Sequence, residues 1–160
     1  MPIYMEYNSG SPTGDVTESN HKNWIECSSF QFGVGRGISS PTGGSADRES
    51  SAPSVSEVVI TKSQDVASVG LLTAAYQGDG VPVKIDFCRT NAGQMDVYMS
   101  VNLTNVMISG FSTSSGGDRP SESISLNFTK IEYKSVQMSA DGSTATSPSI
   151  TYDLSTATTA

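Results

Sequence analysis

The sequence is short of the residues that do chemistry and short of charge. In 160 residues there is one histidine, His21, one tryptophan, Trp24, and two cysteines. Nine side chains are lysine or arginine against 16 carboxylates, for a net charge of −7. Few and scattered basic residues exclude a nucleic-acid partner, because binding a phosphate backbone needs clustered Lys and Arg. Charged residues make up 16% of the chain, against roughly 25% in an ordinary soluble domain. No apolar run approaches the roughly 18 residues that span a bilayer, so no membrane insertion is expected. Met1–Tyr7 carries neither a basic region nor an apolar one, so export, if it occurs, is expected to need no cleavable leader. Such a chain folds in a reducing compartment, and Cys27 and Cys88 are expected to be free thiols.

The same scarcity bounds catalysis. A Ser-His-Asp hydrolase would have to use His21, and no G-x-S-x-G elbow accompanies it. A zinc site would need His21, Cys27, Cys88 and a carboxylate to converge, without C-x-x-C or H-x-x-x-H spacing. Gly33-Val34-Gly35-Arg36-Gly37 opens no helix, so it reads as a strand-terminating turn and not as a phosphate loop. Asp15, Glu18, Asp47 and Glu49 lack calcium-loop spacing and read as solvated charges. The expectation is no catalytic residue, no metal and no cofactor, with His21 packed or hydrogen-bonded beside Trp24.

What fills the chain instead is 28 serines, 15 threonines, 15 glycines and 7 prolines, a composition of short strands and turns. One domain is expected over residues 1–155, with a long flexible loop at 36–53 and a short Ser/Thr tail at 156–160. Strands are predicted at the N-terminus and over Trp24–Val34, Val55–Thr61, Val81–Phe87 and Ile150–Leu154. Val83, Ile85 and Phe87 share one face, which places Cys88 on the opposite, polar one. A longer strand runs Met95, Val97, Met99, Val101, Leu103, and then its apolar residues change parity to Val106 and Ile108. Ile124, Leu126 and Phe128 likewise give way to Ile131 and Tyr133, with the change at Thr129-Lys130. Two strands that change face midway point to bent strands shared between sheets. The polar run Ser109–Pro120 reads as the loop between them. A single helix is predicted over about 65–77, with Ser68 as N-cap, an apolar stripe of Leu71, Leu72, Ala75 and Tyr76, and Gly78 as its end. The expected fold is therefore mostly β: a small β-barrel of bent antiparallel strands with one short α-helix.

Several runs resemble a known family. His21-Lys22-Asn23-Trp24-Ile25 is similar to its H-x-x-W-I segment. Ser56-Glu57-Val58, Thr61-Lys62, Asp65, Ala67-Ser68 and Leu71 resemble its S-E-V-x-x-T-K-x-x-D-x-A-S-x-x-L signature, with Val69 where many members carry proline. Val106–Ser112 and Glu122–Ile131 resemble its last long hairpin. The family is the haemolysin-coregulated proteins, which form the inner tube of the bacterial type VI secretion system. The resemblance runs from Ile3 to about Leu154 and puts His21, Trp24, Glu57, Lys62, Asp65 and Ser68 on family-motif positions.

That resemblance implies a homo-hexameric ring, stacked into a tube inside a sheath, with a spike protein at the tip and effector proteins in the lumen. It implies no enzymatic activity, and a protein that is cytoplasmic until the sheath contracts and is then secreted. Within this reading the uncharged face of Ser100, Asn102 and Thr104 is a candidate lumen wall. The charges Arg36, Asp47, Arg48 and Glu49 become candidates for ring-stacking or sheath contacts. Two other readings stand beside it: a non-assembling β-domain that binds a carbohydrate or a surface protein, and a small hydrolase using His21.

Overall fold

Strand alternation sets the sheet faces of this chain, and breaks in the alternation set its bends. A computed structural model describes residues 1–39, 49–91, 93–138 and 144–159. The first half of the chain holds β1 (Ile3–Tyr7), β2 (Ile25–Cys27), β3 (Ser29–Gln31), β4 (Val34–Gly35), β5 (Ile38–Ser39), β6 (Glu49–Ser50), β7 (Ser54–Val55), β8 (Val58–Ser63) and α1 (Ser68–Gln77). The second half holds β9 (Val81–Asn91), β10 (Gln94–Ser114), β11 (Ser121–Asn127), β12 (Lys130–Ser135), β13 (Gln137–Met138), β14 (Thr144–Thr146), β15 (Ser149–Asp153) and β16 (Thr158–Thr159). The fold is mostly β with antiparallel pairing and one short helix, as expected.

The 21-residue β10 is the spine. Its first half lies between β9 and β12, and its second half pairs with β11. Between Leu103 and Val106 the ladder to β9 slips, and Asn105 takes a left-handed φ of +57°, a conformation asparagine tolerates better than most residues. Gly80 makes room for this bend, since a Cβ there would lie 1.7 Å from Asn105 Oδ1. The parity change read from the sequence is thus a physical re-aiming of the strand: Val101 and Leu103 before it and Val106 and Ile108 after it are all buried. The partner strand breaks in register, with β11 ending at Asn127 and β12 beginning at Lys130. Thr129 N–H donates across the break to Thr104 O at 3.1 Å.

Pairing runs β2–β1–β9–β10–β11–β8–β3. The ladder is interrupted between β2 and β3, so continuous pairing does not close the barrel. The two sheets meet there through Ser28, whose N–H donates to Thr61 O at 2.7 Å. Inside lie Met5, Ile25, Ile60, Leu71, Ile85, Leu103, Ile124 and Leu126, all essentially inaccessible. Burying each such side chain contributes roughly 1.5–3 kcal/mol.

Several local expectations need correction. The helix begins at Ser68, but Ala67 occupies the cap position and makes no side-chain cap. Ser68 Oγ accepts from Asp65 N–H instead, and Asp65 Oδ1 accepts from Ala67 N–H, so the aspartate closes the first turn. Tyr76 is 83% exposed; the inward set is Ala67, Leu71, Ala74 and Ala75. Gly78 does end the helix, with its N–H donating to Ala74 O.

Residues 36–53 are not structureless along their described length. Val34↔Val55 and Ile38↔Ser50 pair, so the segment leaves the barrel as a two-stranded arm, and Gly33–Gly37 is its root, not a turn. The predicted strand Trp24–Val34 is three short ones, and Ser109–Ser114 is strand, leaving only Ser115–Pro120 as loop. Thr158–Thr159 of the predicted tail folds back to pair with β15.

Candidate functional site

The motif residues gather into two clusters, each built around a buried nitrogen base. Lys62 shares strand parity with Val58 and Ile60 and therefore points inward, where it is 1% exposed. Its three N–H groups are shared among Glu122 Oε1 at 2.8 Å, Asp65 Oδ1 at 2.9 Å, Ser63 O at 3.0 Å and Ser68 Oγ at 3.2 Å. Ser68 Oγ donates in turn to Glu122 Oε1 at 2.9 Å. A buried ammonium is tolerated only where it is paired and hydrogen-bonded, and here both conditions hold. The spacing T-K-x-x-D-x-A-S thus has a mechanical meaning. A strand end, the following turn and the first turn of α1 converge on one nitrogen, and β11 supplies the second carboxylate opposite Lys62.

Glu122 was not singled out as a site residue by sequence reasoning. The signal was present: it shares parity with the buried Ile124 and Leu126, and an inward carboxylate needs a partner.

The second cluster lies on the outer wall of β1 and β9. His21 is 2% exposed, and both ring nitrogens meet carboxylates: Nδ1 lies 2.5 Å from Glu18 Oε2, Nε2 2.9 Å from Asp86 Oδ2. Trp24 packs edge-on at 4.6 Å between ring centroids, and Tyr4 lies at 5.0 Å. Burial opposes ionisation of Glu18, but hydrogen bonds from His21, Asn20 and Ser19 and the His21 charge hold its carboxyl below the ordinary value. The expectation that His21 is hydrogen-bonded beside Trp24 is met. The expectation that Glu18 is merely solvated is not, because it is the loop's half of this clamp.

Cys88 lies on the face of β9 opposite Phe87, as expected, but is fully buried there in the same small cluster, with Tyr4 and Val16. The outward side of β9 is roofed here by residues from the β1–β2 connection. Its Sγ lies 3.9 Å from His21 Nε2, which invites a Cys-His nucleophile reading. Burial first, then the charges of Asp86, Glu18 and Asp96, push the thiol up to about 11. A reactive cysteine needs its thiolate, and this site suppresses it. Burial likewise pushes Cys27 up to about 12, only partly offset by Lys62, and both cysteines are free. Among the described residues no group of three His, Cys, Asp or Glu side chains is placed to hold a metal.

The remaining predicted residues lie elsewhere. Glu57 is exposed and accepts a hydrogen bond from Ser109 Oγ, outside both clusters. Ser100, Asn102 and Thr104 do share one face of β10. Neighbouring strands add charges of both signs to it: Lys84, Asn102 and Glu132 form one row, and Asp86, Ser100 and Lys134 the next. Asn102 Nδ2 donates to Glu132 Oε1 at 2.8 Å. Arg36 is exposed on the arm and Glu49 lies in β6, while Asp47 and Arg48 fall outside the described residues. At the arm's base sits a feature the sequence reading missed, an apolar cleft of about 260 Å³ between Phe32, Val34 and Val55 on one side and Tyr133, Ile150 and Tyr152 on the other.

A family model described as type VI secretion system effector, Hcp, matches residues 4–134. The chain belongs to the Hcp family. Among solved structures it resembles a type six secretion system protein at 26% identity, with a TM-score of 0.86 and 99% of each chain covered. Hcp1 from Salmonella typhimurium is 17% identical with a TM-score of 0.75, covering 99% of this chain and 98% of that one. A type VI secretion system effector from Yersinia pestis is 21% identical with a TM-score of 0.73, covering 94% and 98%. At these last two identities the likeness concerns the fold. Comparison with curated proteins gives no match. The family resemblance is therefore borne out, and Lys62, Asp65 and Ser68 form one interior network.

Proposed function

We propose that this Hcp chain is a non-enzymatic tube subunit of a type VI secretion system. Six copies close into a ring, rings stack into a tube inside the contractile sheath, a spike protein caps the tip, and effector proteins travel in the lumen. The chain resides in the cytoplasm until the sheath contracts and is then exported. The observation that carries this reading is the family match over residues 4–134, joined to a type VI secretion structure similar over 99% of both chains.

The residues give further support. Both buried clusters are sealed and mutually satisfied, an arrangement suited to holding a wall together and not to turning over a substrate. The mixed-sign face of Ser100, Asn102 and Thr104 suits a lumen wall that must release its cargo. The segment 36–53, with the charges Arg36, Asp47, Arg48 and Glu49 in its sequence, is assigned to contacts between stacked rings or with the sheath. Exposed Val34 and Ile150 at the cleft are the kind of apolar surface that a subunit contact covers. The test is export: in a bacterium with a working type VI apparatus and its own tube gene deleted, this chain should reach the medium only when the sheath is intact. Equal appearance in a sheathless strain contradicts the proposal.

A further inference from the structure

We propose that His21 is a proton-dependent latch that docks the β1–β2 connection onto the barrel wall and seals Cys88 beneath it. Two things about residues 14–24 make them separable from the barrel. Their backbone hydrogen bonds are made among themselves: Gly14 N–H to Asn23 O, Asn23 N–H to Val16 O, Val16 N–H to Trp24 O and Trp24 N–H to His21 O. Their apolar anchors, Val16 and Trp24, belong to a small satellite cluster with Tyr4, Cys88, Met95 and Val97, outside the main core. Against that modest area, the polar tie to the barrel is His21 to Asp86 on β9.

The charges make this tie depend on a proton. From its own segment His21 faces Glu18; from β9 it faces Asp86 and Cys88; from β1 it faces Tyr4, behind which Glu26 lies on β2. Asp96 on β10 adds a further negative charge near Cys88. Among the described residues neither Glu18 nor Asp86 pairs with a lysine or arginine, so His21 is the basic side chain both depend on. A doubly protonated imidazolium donates to both carboxylates, whereas a neutral ring has one N–H and turns a lone pair to the other, in a site with little water to screen the repulsion. The latch is therefore closed when the ring carries both protons and opens when one of them is lost as pH rises. At the acid end it persists to lower pH than an ordinary glutamate would permit, because Glu18 is held below its usual value.

Cys88 reports the opening and Cys27 serves as the internal control. Alkylation of the full-length protein with iodoacetamide, mapped by peptide mass from pH 5.5 to 9 and divided by the rate for a free thiol peptide at each pH, gives the accessibility of each cysteine. Cys88 should gain about tenfold in normalised reactivity over a one-proton step, while Cys27 stays protected because the barrel remains folded. His21→Gln should show the high Cys88 value at every pH. If that variant does not fold, Asp86→Asn serves, with the opening step weakened or shifted. The proposal is overturned if Cys88 in the parent stays sealed throughout, if the variants keep the parent profile, or if both cysteines open together.

Discussion

The two buried clusters solve one problem in different ways. Lys62 sits in the main core between Glu122 and Asp65, joining β8, α1 and β11. His21 sits on the outer wall between Glu18 and Asp86, joining a connection to β9. In each, two carboxylates face one base. The lysine ties together elements whose apolar faces are already committed to the core, so its network holds the barrel's own geometry. The histidine ties down a segment with few apolar contacts of its own, so its bonds decide whether that segment is docked.

The sharpest way to break the comparison is to remove the lysine. Lys62→Ala strands Glu122 in the core, and losing one partner of a buried ion pair costs about 3–5 kcal/mol, read as a large drop in the urea midpoint. Removing both charges in Lys62→Met/Glu122→Leu should recover much of that loss, because an apolar pair of similar volume needs no desolvation. If the double variant is as unstable as the single one, the ion pair supplies something that packing does not replace.

His21→Gln should cost less, about 1–3 kcal/mol, since its carboxylates lie near the surface and regain water when the segment lifts. Acid titration gives a second view. Glu18 has a lowered folded value, so its contribution is present above its unfolded value and is lost as pH falls through the lower folded one. On the acid side, a parent-minus-Glu18→Gln stability difference should therefore shrink as pH falls below about 4.5, the ordinary value.

Smaller still is the effect of Gly70→Ala on α1. Alanine favours a helix interior by up to about 1 kcal/mol over glycine, but a Cβ at Gly70 would lie 2.6 Å from Pro12 Cβ. The displaced Pro12 should turn that gain into a net loss of about 1 kcal/mol. A higher melting temperature would show that this part of the connection gives way freely. At the bottom of the scale, replacing residues 40–48 with a short turn should leave the melting temperature within about 2 °C of the parent, because closure entropy changes only slowly with the length of a connection. The same variant should lose export.

Much of this was legible in the chain. Period-two alternation located the core strands, and the parity changes at Asn105 and at Thr129-Lys130 marked both bends, because a strand cannot move its apolar set across without re-aiming its backbone. Lys62, Asp65 and Ser68 were legible as a motif, but their convergence was not, since it depends on Glu122 arriving from a strand 60 residues away. The face of Cys88 was legible but its burial was not, because alternation specifies a face and says nothing about what roofs it. The arm's pairing escaped notice because Ile38↔Ser50 and Ser39↔Glu49 put few apolar side chains opposite each other.

The central claim is that these networks hold a wall that works only as part of a ring. Native mass spectrometry of the full chain at micromolar concentration tests it most directly. The account predicts one dominant species of six chains, retained after reduction because both cysteines are free. A monomer as the sole species under the same conditions would contradict it.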